Sequence, residues 1–184
     1  MKKIILLLLI VTFSCNNADK RIQKQEAIKD NDELKTMYNE DQSDRSSGNI
    51  NWSIVSVKDS LREARVFELL DSNLVHTSLD YSNAAMIFQH GSDTIASGMA
   101  VKMMTNAIAL DTSINKWLLA AAIDRDLIRR KQPQIYGTQY VRIKDDPWKL
   151  YDMDTTKISD EERIKYGVKT LSEQRENVEM MNKE

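Results

Sequence analysis

The chain has few of the residues that build disulfide-linked or turn-dense β proteins. Its 184 residues include 1 Cys, 2 Pro and 5 Gly, and only 7% are aromatic. A single cysteine excludes an intramolecular disulfide. So few glycines and prolines leave a β-sandwich or β-barrel without the turn residues that it needs. Ala, Leu, Met, Lys, Glu and Gln are abundant instead, and these residues favour a mostly α-helical fold.

Sequence motifs for the common enzyme classes are also missing. The chain has no G-x-S-x-G, no H-E-x-x-H and no glycine-rich phosphate loop, and its two histidines, His76 and His90, are too far apart to pair as metal ligands in one helix. We therefore expect neither a metal nor a cofactor. The formal net charge is -2 with no unopposed basic stripe, which argues against a nucleic-acid partner.

The first fifteen residues have the pattern of an export signal. Lys2 and Lys3 precede the apolar run Ile4–Val11, which would span about 12 Å as a helix, too short to cross a bilayer. The lone Cys15 follows a small residue, which resembles the lipobox of bacterial lipoproteins. We predict a signal peptide over 1–14 and lipidation of Cys15 with palmitate-type acyl chains; the alternative is a secreted protein with one free thiol.

This pattern predicts the location and the organisation of the chain. Residues 15–31 are polar and form a tether, and residues 32–181 form a single helical domain. The membrane partner would be reached through the lipid on Cys15, in the cell membrane or the outer membrane. The mature domain would lie outside the cytoplasm.

Apolar spacing of three and four residues predicts helices along most of the domain. The expected helices cover residues 32–45, 58–71 (opened by a Ser56–Asp59 capping box), 80–90 (capped by Asp80), a fourth capped by Ser92 or Asp93 with Ile95 on its buried face, 114–131 and 159–180. Trp52–Val57 is predicted to be a short extended stretch. Around Trp117 the chain is similar to half of a tetratricopeptide-type repeat, but no second copy follows.

Residues 134–153 contain residue types that suit strands around a turn at Pro147. We predict one small β-hairpin there. The expected fold is mostly α, a compact antiparallel helical bundle or short repeat-like stack with this single hairpin.

Polar residues that interrupt the apolar stripes are the candidates for a site. Asp41 and Asp124 lie on apolar helix faces, where a buried carboxylate requires a partner, and Arg45 or Arg125 is the expected partner of Asp124. His90 ends the predicted helix 80–90, whose apolar residues include Ile87 and Phe88, so it is placed to face the same interior. The segment 134–139 adds several hydrogen-bonding side chains. We expect these residues to meet in space, either as a structural network or as a ligand pocket.

The same residues resemble a bacterial family of unknown function marked by a Q-x-Y-G-T-Q motif. The matching positions are Gln134, Tyr136, Gly137, Thr138 and Gln139, with a D-Q-x-x-R at Asp41, Gln42 and Arg45, a Q-H at Gln89 and His90, a D-R at Asp124 and Arg125, and a late Arg163 before Gly167. The resemblance covers roughly residues 37–177, although a Gly-Trp-Pro turn found in many members is absent. It implies a common fold and a shared polar cluster, and no activity.

Two functions fit these residues. The first is a lipid-anchored helical binding module whose polar cluster is either structural or binds a protein or a small polar ligand without turning it over. The candidate binding residues are Arg45, Gln89, Arg125, Gln134, Tyr136, Thr138 and Gln139. The second is an envelope hydrolase, with Asp124 or Asp41 as general acid or base, His90 as proton shuttle, and Arg125 with Gln139 orienting a small polar substrate.

Overall fold

The computed structural model of the chain describes residues 28–46 and 48–183. The predicted signal peptide, Cys15 and most of the predicted tether lie outside these residues. The last tether residues are bonded to the domain: the Asp30 carboxylate accepts from the Thr77 hydroxyl at 2.7 Å, and the Asn31 amide N–H donates to Asp80 at 2.7 Å.

Helices dominate the described residues, as the composition predicts. The elements are α1 (Asp32–Ser46), α2 (Trp52–Asp71), α3 (Ser78–His90), α4 (Thr94–Leu110), α5 (Trp117–Arg129), β1 (Tyr140–Val141), β2 (Lys149–Leu150), α6 (Asp160–Lys165) and α7 (Leu171–Met181). None of the helices in the described part of the chain combines the length and apolar character that crossing a membrane requires.

Helix α3 is the centre of the bundle, because α1, α2, α4 and α5 all pack against it. Its Ile87 and Phe88 are fully buried beside Leu34 of α1, Leu69 of α2 and Met103 of α4. The methionines of α4 therefore fill the core, as their helical spacing indicates. The mostly helical fold with packed helices is confirmed.

The predicted hairpin is present and short. Tyr140 pairs with Leu150 and Val141 with Lys149 in an antiparallel register. An isolated bridge joins Gln134 to Met153, so the segment 134–153 closes on itself beyond the two strands.

The prediction of an extended stretch at residues 52–57 was wrong. Helix α2 already begins at Trp52, because the Asn51 side chain caps it by accepting from the Ile54 amide, and Ser56 lies inside the helix. Trp52, Ile54 and Val57 are 54–62% exposed, so this apolar run lies on the surface.

The N-terminal ends of α3 and α4 are also set by capping side chains. Thr77 is the residue that caps α3, and Asp80 completes its capping box from the third position. Asp93 caps α4, whose Ile95 is 64% exposed and not on the buried face as predicted.

The predicted closing helix 159–180 is two helices. Ser159 caps α6 as expected, but Gly167, with φ +69°, lies in the left-handed region and turns the chain away after Lys165. Thr170 and Glu173 then form a second capping box that starts α7.

Candidate functional site

Asp41 and His90 form the centre of the candidate site. The His90 Nδ1 lies 3.0 Å and 2.9 Å from the two carboxylate oxygens of Asp41, which is 1% exposed. Arg45 donates to the same carboxylate at 2.8 Å, and so does the Gln42 amide at 2.8 Å. Because a carboxylate only accepts, Nδ1 carries a proton in this contact, and the opposite ring nitrogen, Nε2, is left for other partners.

The network also contains two charged residues of α2, Asp59 and Arg62, and one of α1, Asp44, that the sequence analysis did not place in the site. Asp59 accepts from Arg45 at 2.5 Å and from Arg62 at 3.4 Å, and Arg62, 6% exposed, also bonds Asp44. The Arg62 guanidinium is 3.8 Å from Asp41. The i, i+3 spacing of Asp59 and Arg62 is visible in the sequence, but Asp59 was assigned with Ser56 to a helix start, and Arg62 was not considered.

Two arginines of α5 hold the end of α3 on either side of His90. Arg125 donates to the Gln89 carbonyl at 2.6 Å, and Arg129 donates to the Gly91 carbonyl and, at 3.0 Å, to that of Asp93. Cations at a helix C-terminus satisfy its free carbonyls and favour its dipole. Burial and the nearby positive charges of Arg129 and Arg45 lower the pKa of Arg125.

Asp124 has a different partner from the one predicted. Its carboxylate, fully buried, accepts from the amides of Ile135 at 2.8 Å, Tyr136 at 2.9 Å and Thr138 at 2.9 Å, and from the Thr138 hydroxyl at 2.8 Å. No arginine of the described chain bonds it, so the expectation that Arg45 or Arg125 neutralises Asp124 was wrong. Four donors from one turn replace the lost hydration.

The remaining polar groups of the 134–139 segment are also used internally. The buried Gln134 amide donates to the carbonyls of Gln139 at 2.9 Å and Tyr151 at 3.0 Å and accepts from the Gln139 amide at 2.9 Å. Arg163, 2% exposed, donates to the Tyr136 carbonyl at 3.1 Å and to that of Ile135 at 3.2 Å.

Tyr136 contributes packing to this segment. Its ring lies 5.0 Å from that of Tyr166, and burial together with this neighbour holds the pKa of the Tyr136 phenol well above its usual range. The Q-x-Y-G-T-Q motif is therefore a self-contained turn between Asp124 and Arg163, with Gly137 at φ +87°.

The structure brings the sequence-predicted residues into two groups joined by Arg125. One group contains Asp41, Arg45 and His90; the other contains Asp124, Gln134, Tyr136, Thr138 and Gln139. Arg125 links them, since it donates to the Gln89 carbonyl and, at 3.2 Å and 3.3 Å, to the Gln139 side chain. The Gln89 side-chain oxygen is buried without a hydrogen-bond partner among the described residues.

An open cleft of about 240 Å³ lies beside His90, and we call it the His90 cleft. Its lining residues come from α2 and the end of α3: Ser56, Val57, Asp59, Ser60, Glu63, His90, Gly91 and Ser92. A Cβ atom on Gly91 would lie 2.3 Å from the Ala96 Cβ and 2.6 Å from a Glu63 carboxyl oxygen. Only glycine permits this close approach of α2, α3 and α4.

Glu63 is the carboxyl in this cleft that has no fixed partner. It makes no hydrogen bond to the residues that the structure describes, and burial, with the nearby charge of Asp93, raises its pKa. The His90 Nε2 likewise makes no hydrogen bond within that part of the chain. The cleft therefore contains an acid, an imidazole and the Ser92 hydroxyl that are free to contact a polar molecule, whereas the hydroxyls of Ser56 and Ser60 donate to carbonyls of their own helix at 3.1 Å.

Neither a metal nor a related protein assigns a role to this cleft. Within residues 28–46 and 48–183, no three His, Cys, Asp or Glu side chains are grouped so that they could hold a metal ion. Comparison of the chain with models of protein families, with curated proteins and with solved structures finds no match. Membership in the family marked by the Q-x-Y-G-T-Q motif stays a prediction.

Proposed function

We propose that this is a lipid-anchored cell-envelope protein whose helical domain binds a small polar ligand in the His90 cleft. The observation that carries the proposal is the placement of one imidazole. Asp41 fixes Nδ1, while Nε2 has no partner among the described residues and its ring lines an open cleft.

The surroundings support a binding role because they restrict the imidazole. Arg125 and Arg129 bond the carbonyls of Gln89 and Gly91, the residues on either side of His90. A side chain held at both its backbone and its Nδ1 loses little further entropy when a ligand binds, so more of the contact energy appears as affinity.

The two histidines of the chain make the test direct, because His76 is exposed and lines a different cavity. We expect the Cε1–H resonance of His90 in the full chain to shift saturably with at least one of four probes: acetate, inorganic phosphate, ethanolamine or glycerol. The resonance of His76 serves as the internal control. Equal shifts of both histidines, or no shift of His90 with any probe, would contradict the proposal.

A second candidate function, hydrolysis, is favoured by the Asp41–His90 contact together with Glu63 in the same cleft. With Nδ1 bonded to Asp41, Nε2 is placed to take a proton from water or from a substrate hydroxyl. Glu63, whose pKa is raised, is the group suited to return a proton to a leaving group. Both carboxylate oxygens of Asp124 accept from the 134–139 turn, so Asp124 is not the acid or base in this version of the site. Arg125 and Gln139 bond each other, so they do not orient the substrate.

This candidate predicts measurable turnover of a small activated ester such as p-nitrophenyl acetate by the full chain. Asp41→Asn is expected to lower the rate at least tenfold, since the amide no longer fixes the reactive form of His90. His76→Gln is the matched control and leaves the rate unchanged. A rate equal in Asp41→Asn and in the parent chain would exclude His90 as the base.

The membrane attachment rests on the sequence alone. Lys2, Lys3, the apolar run Ile4–Val11 and the single Cys15 support lipidation. Metabolic labelling with a palmitate analogue should tag the parent chain, and Cys15→Ala should abolish the label and release the domain from membranes. Equal labelling of both chains would refute this part of the proposal.

A further inference from the structure

A second cavity, of about 300 Å³, lies between α1, α3 and the start of α5, and we call it the Trp117 cavity. It shares no lining residue with the His90 cleft. Its walls are Tyr38 of α1, Leu79, Ser82, Asn83 and Met86 on one face of α3, and Asn115, Trp117 and Leu118 near the start of α5. Its size is at the lower end of the range for small-molecule sites.

Asn83 is the residue that marks this cavity as a site. Its side chain is 4% exposed, yet its amide makes no hydrogen bond to any residue in the described chain. Among the described residues, the only side-chain polar atom that is both sealed from solvent and unpartnered belongs to Gln89. The Asn83 amide is therefore not sealed in the core but opens into the cavity that it lines.

The Asn83 amide bonds nothing within the described part of the fold, so it is available to a molecule in the cavity. Neighbouring polar groups of the cavity wall also have donors or acceptors that make no hydrogen bond within the described chain. The Tyr38 and Ser82 hydroxyls make no hydrogen bond within the described residues, and Asn115 uses only its oxygen, which accepts from the Trp117 amide at 2.9 Å. Neutral donors and acceptors thus converge on one space.

The remaining walls are apolar and aromatic. Trp117 is 43% exposed, and Leu79, Met86 and Leu118 complete the lining. None of the eight lining residues is charged at neutral pH, so an ion would lose hydration here without gaining an opposite charge. The lining suits a neutral molecule that has several hydroxyls at its edge and C–H groups on its face, which can lie against an indole.

We infer that the Trp117 cavity binds a neutral sugar unit, with the indole of Trp117 against the sugar ring and the Asn83 amide bonded to its hydroxyls. This site is separate from the proposed function at His90 and does not depend on it.

The three indole N–H resonances of the full chain, held in a sugar-free detergent, report binding. Trp52 and Trp148 lie outside the cavity and serve as internal controls. We expect methyl β-glucoside to shift the Trp117 resonance alone and saturably. Glucosamine and glucuronic acid, which carry a positive or a negative charge on the same ring, should bind at least about tenfold more weakly.

Two variants test the role of the lining. Asn83→Leu keeps the approximate shape but removes the amide, so affinity should fall about tenfold or more while the melting temperature stays equal or rises, since the amide makes no hydrogen bond within the described chain. Trp117→Ala should also weaken binding, whereas Trp52→Ala should not.

Three results would overturn the inference. One is the absence of a saturable Trp117 shift with methyl β-glucoside, and another is tighter binding of either charged sugar. The third is a lower melting temperature of Asn83→Leu, because that would mean that the Asn83 amide has a structural partner.

Discussion

Replacing Asp124 by Asn tests whether this carboxylate is a structural clamp. Each of its oxygens accepts from two donors of the 134–139 turn. In the variant, the new NH2 group has to face one pair of donors. The least costly choice puts it beside Thr138, whose hydroxyl can rotate to accept, but the Thr138 amide N–H is then unpaired.

The cost follows from these contacts. An unpaired buried N–H costs about 1–3 kcal/mol, and the three remaining bonds change from charge-assisted to neutral, a loss of about 1 kcal/mol each. The neutral amide recovers part of this because it is easier to bury. We expect a net loss of about 3 kcal/mol in the free energy of unfolding, which for a domain of this size is a fall of roughly 6–12 °C in melting temperature.

Urea denaturation of the full chain followed by circular dichroism measures this loss as a lower midpoint at an unchanged slope. Asp126→Asn is the matched control on the same helix: Asp126 bonds the Ser97 hydroxyl and the exposed Arg130, so its loss should cost less than about 1 kcal/mol. If Asp124→Asn were as stable as Asp126→Asn, the clamp would be refuted.

Two further substitutions have expected outcomes. Glu63 has a raised pKa, so the native state holds its proton more tightly than the unfolded chain does, and stability falls as pH rises above the usual carboxyl range of about 4.3. Glu63→Gln should remove this loss and be relatively more stable at pH 7 than at pH 4 in thermal melts; an identical pH dependence in both chains would contradict it. Gly137→Ala should cost about 1 kcal/mol in urea denaturation, because φ is +87° there, whereas Gly48→Ala, which has nothing within 4 Å and no positive φ, should be nearly neutral; equal costs would refute the conformational argument.

The helical fold was predictable because its signal is spread over many residues. Leu34, Phe88 and Met104 each belong to a row of apolar residues at helical spacing, and each is buried. The errors occurred where one residue decides the outcome. The Asn51 side chain caps α2, which begins six residues before the predicted helix, and the positive φ of Gly167 divides a pattern that reads as one helix. Apolar periodicity indicates neither a side-chain cap nor a backbone angle.

The members of the site were more predictable than their partners. Asp41 and Asp124 interrupt apolar stripes, and both are buried with several donors. The donors that bond each carboxylate depend on which neighbouring element its side of the helix packs against. Asp124 faces the turn at residues 134–139, while Arg125, one residue later, faces α3. Glu63 gave no sequence signal, because its role depends on the close approach that Gly91 allows.

The distribution of satisfied and unsatisfied groups separates the scaffold from the candidate sites. The polar atoms of Asp124, Gln134 and Arg163 form hydrogen bonds with the 134–139 turn and its neighbours. Arg125 connects that turn to the backbone beside His90. Folded chains pair nearly all their buried polar groups. The His90 Nε2 and the Asn83 amide are not sealed in the core; each lines an open cavity and makes no hydrogen bond within the described chain. Polar groups that the fold leaves unpaired at open cavities are the ones available to a ligand, which is why both proposals are placed there and not at the motif residues themselves.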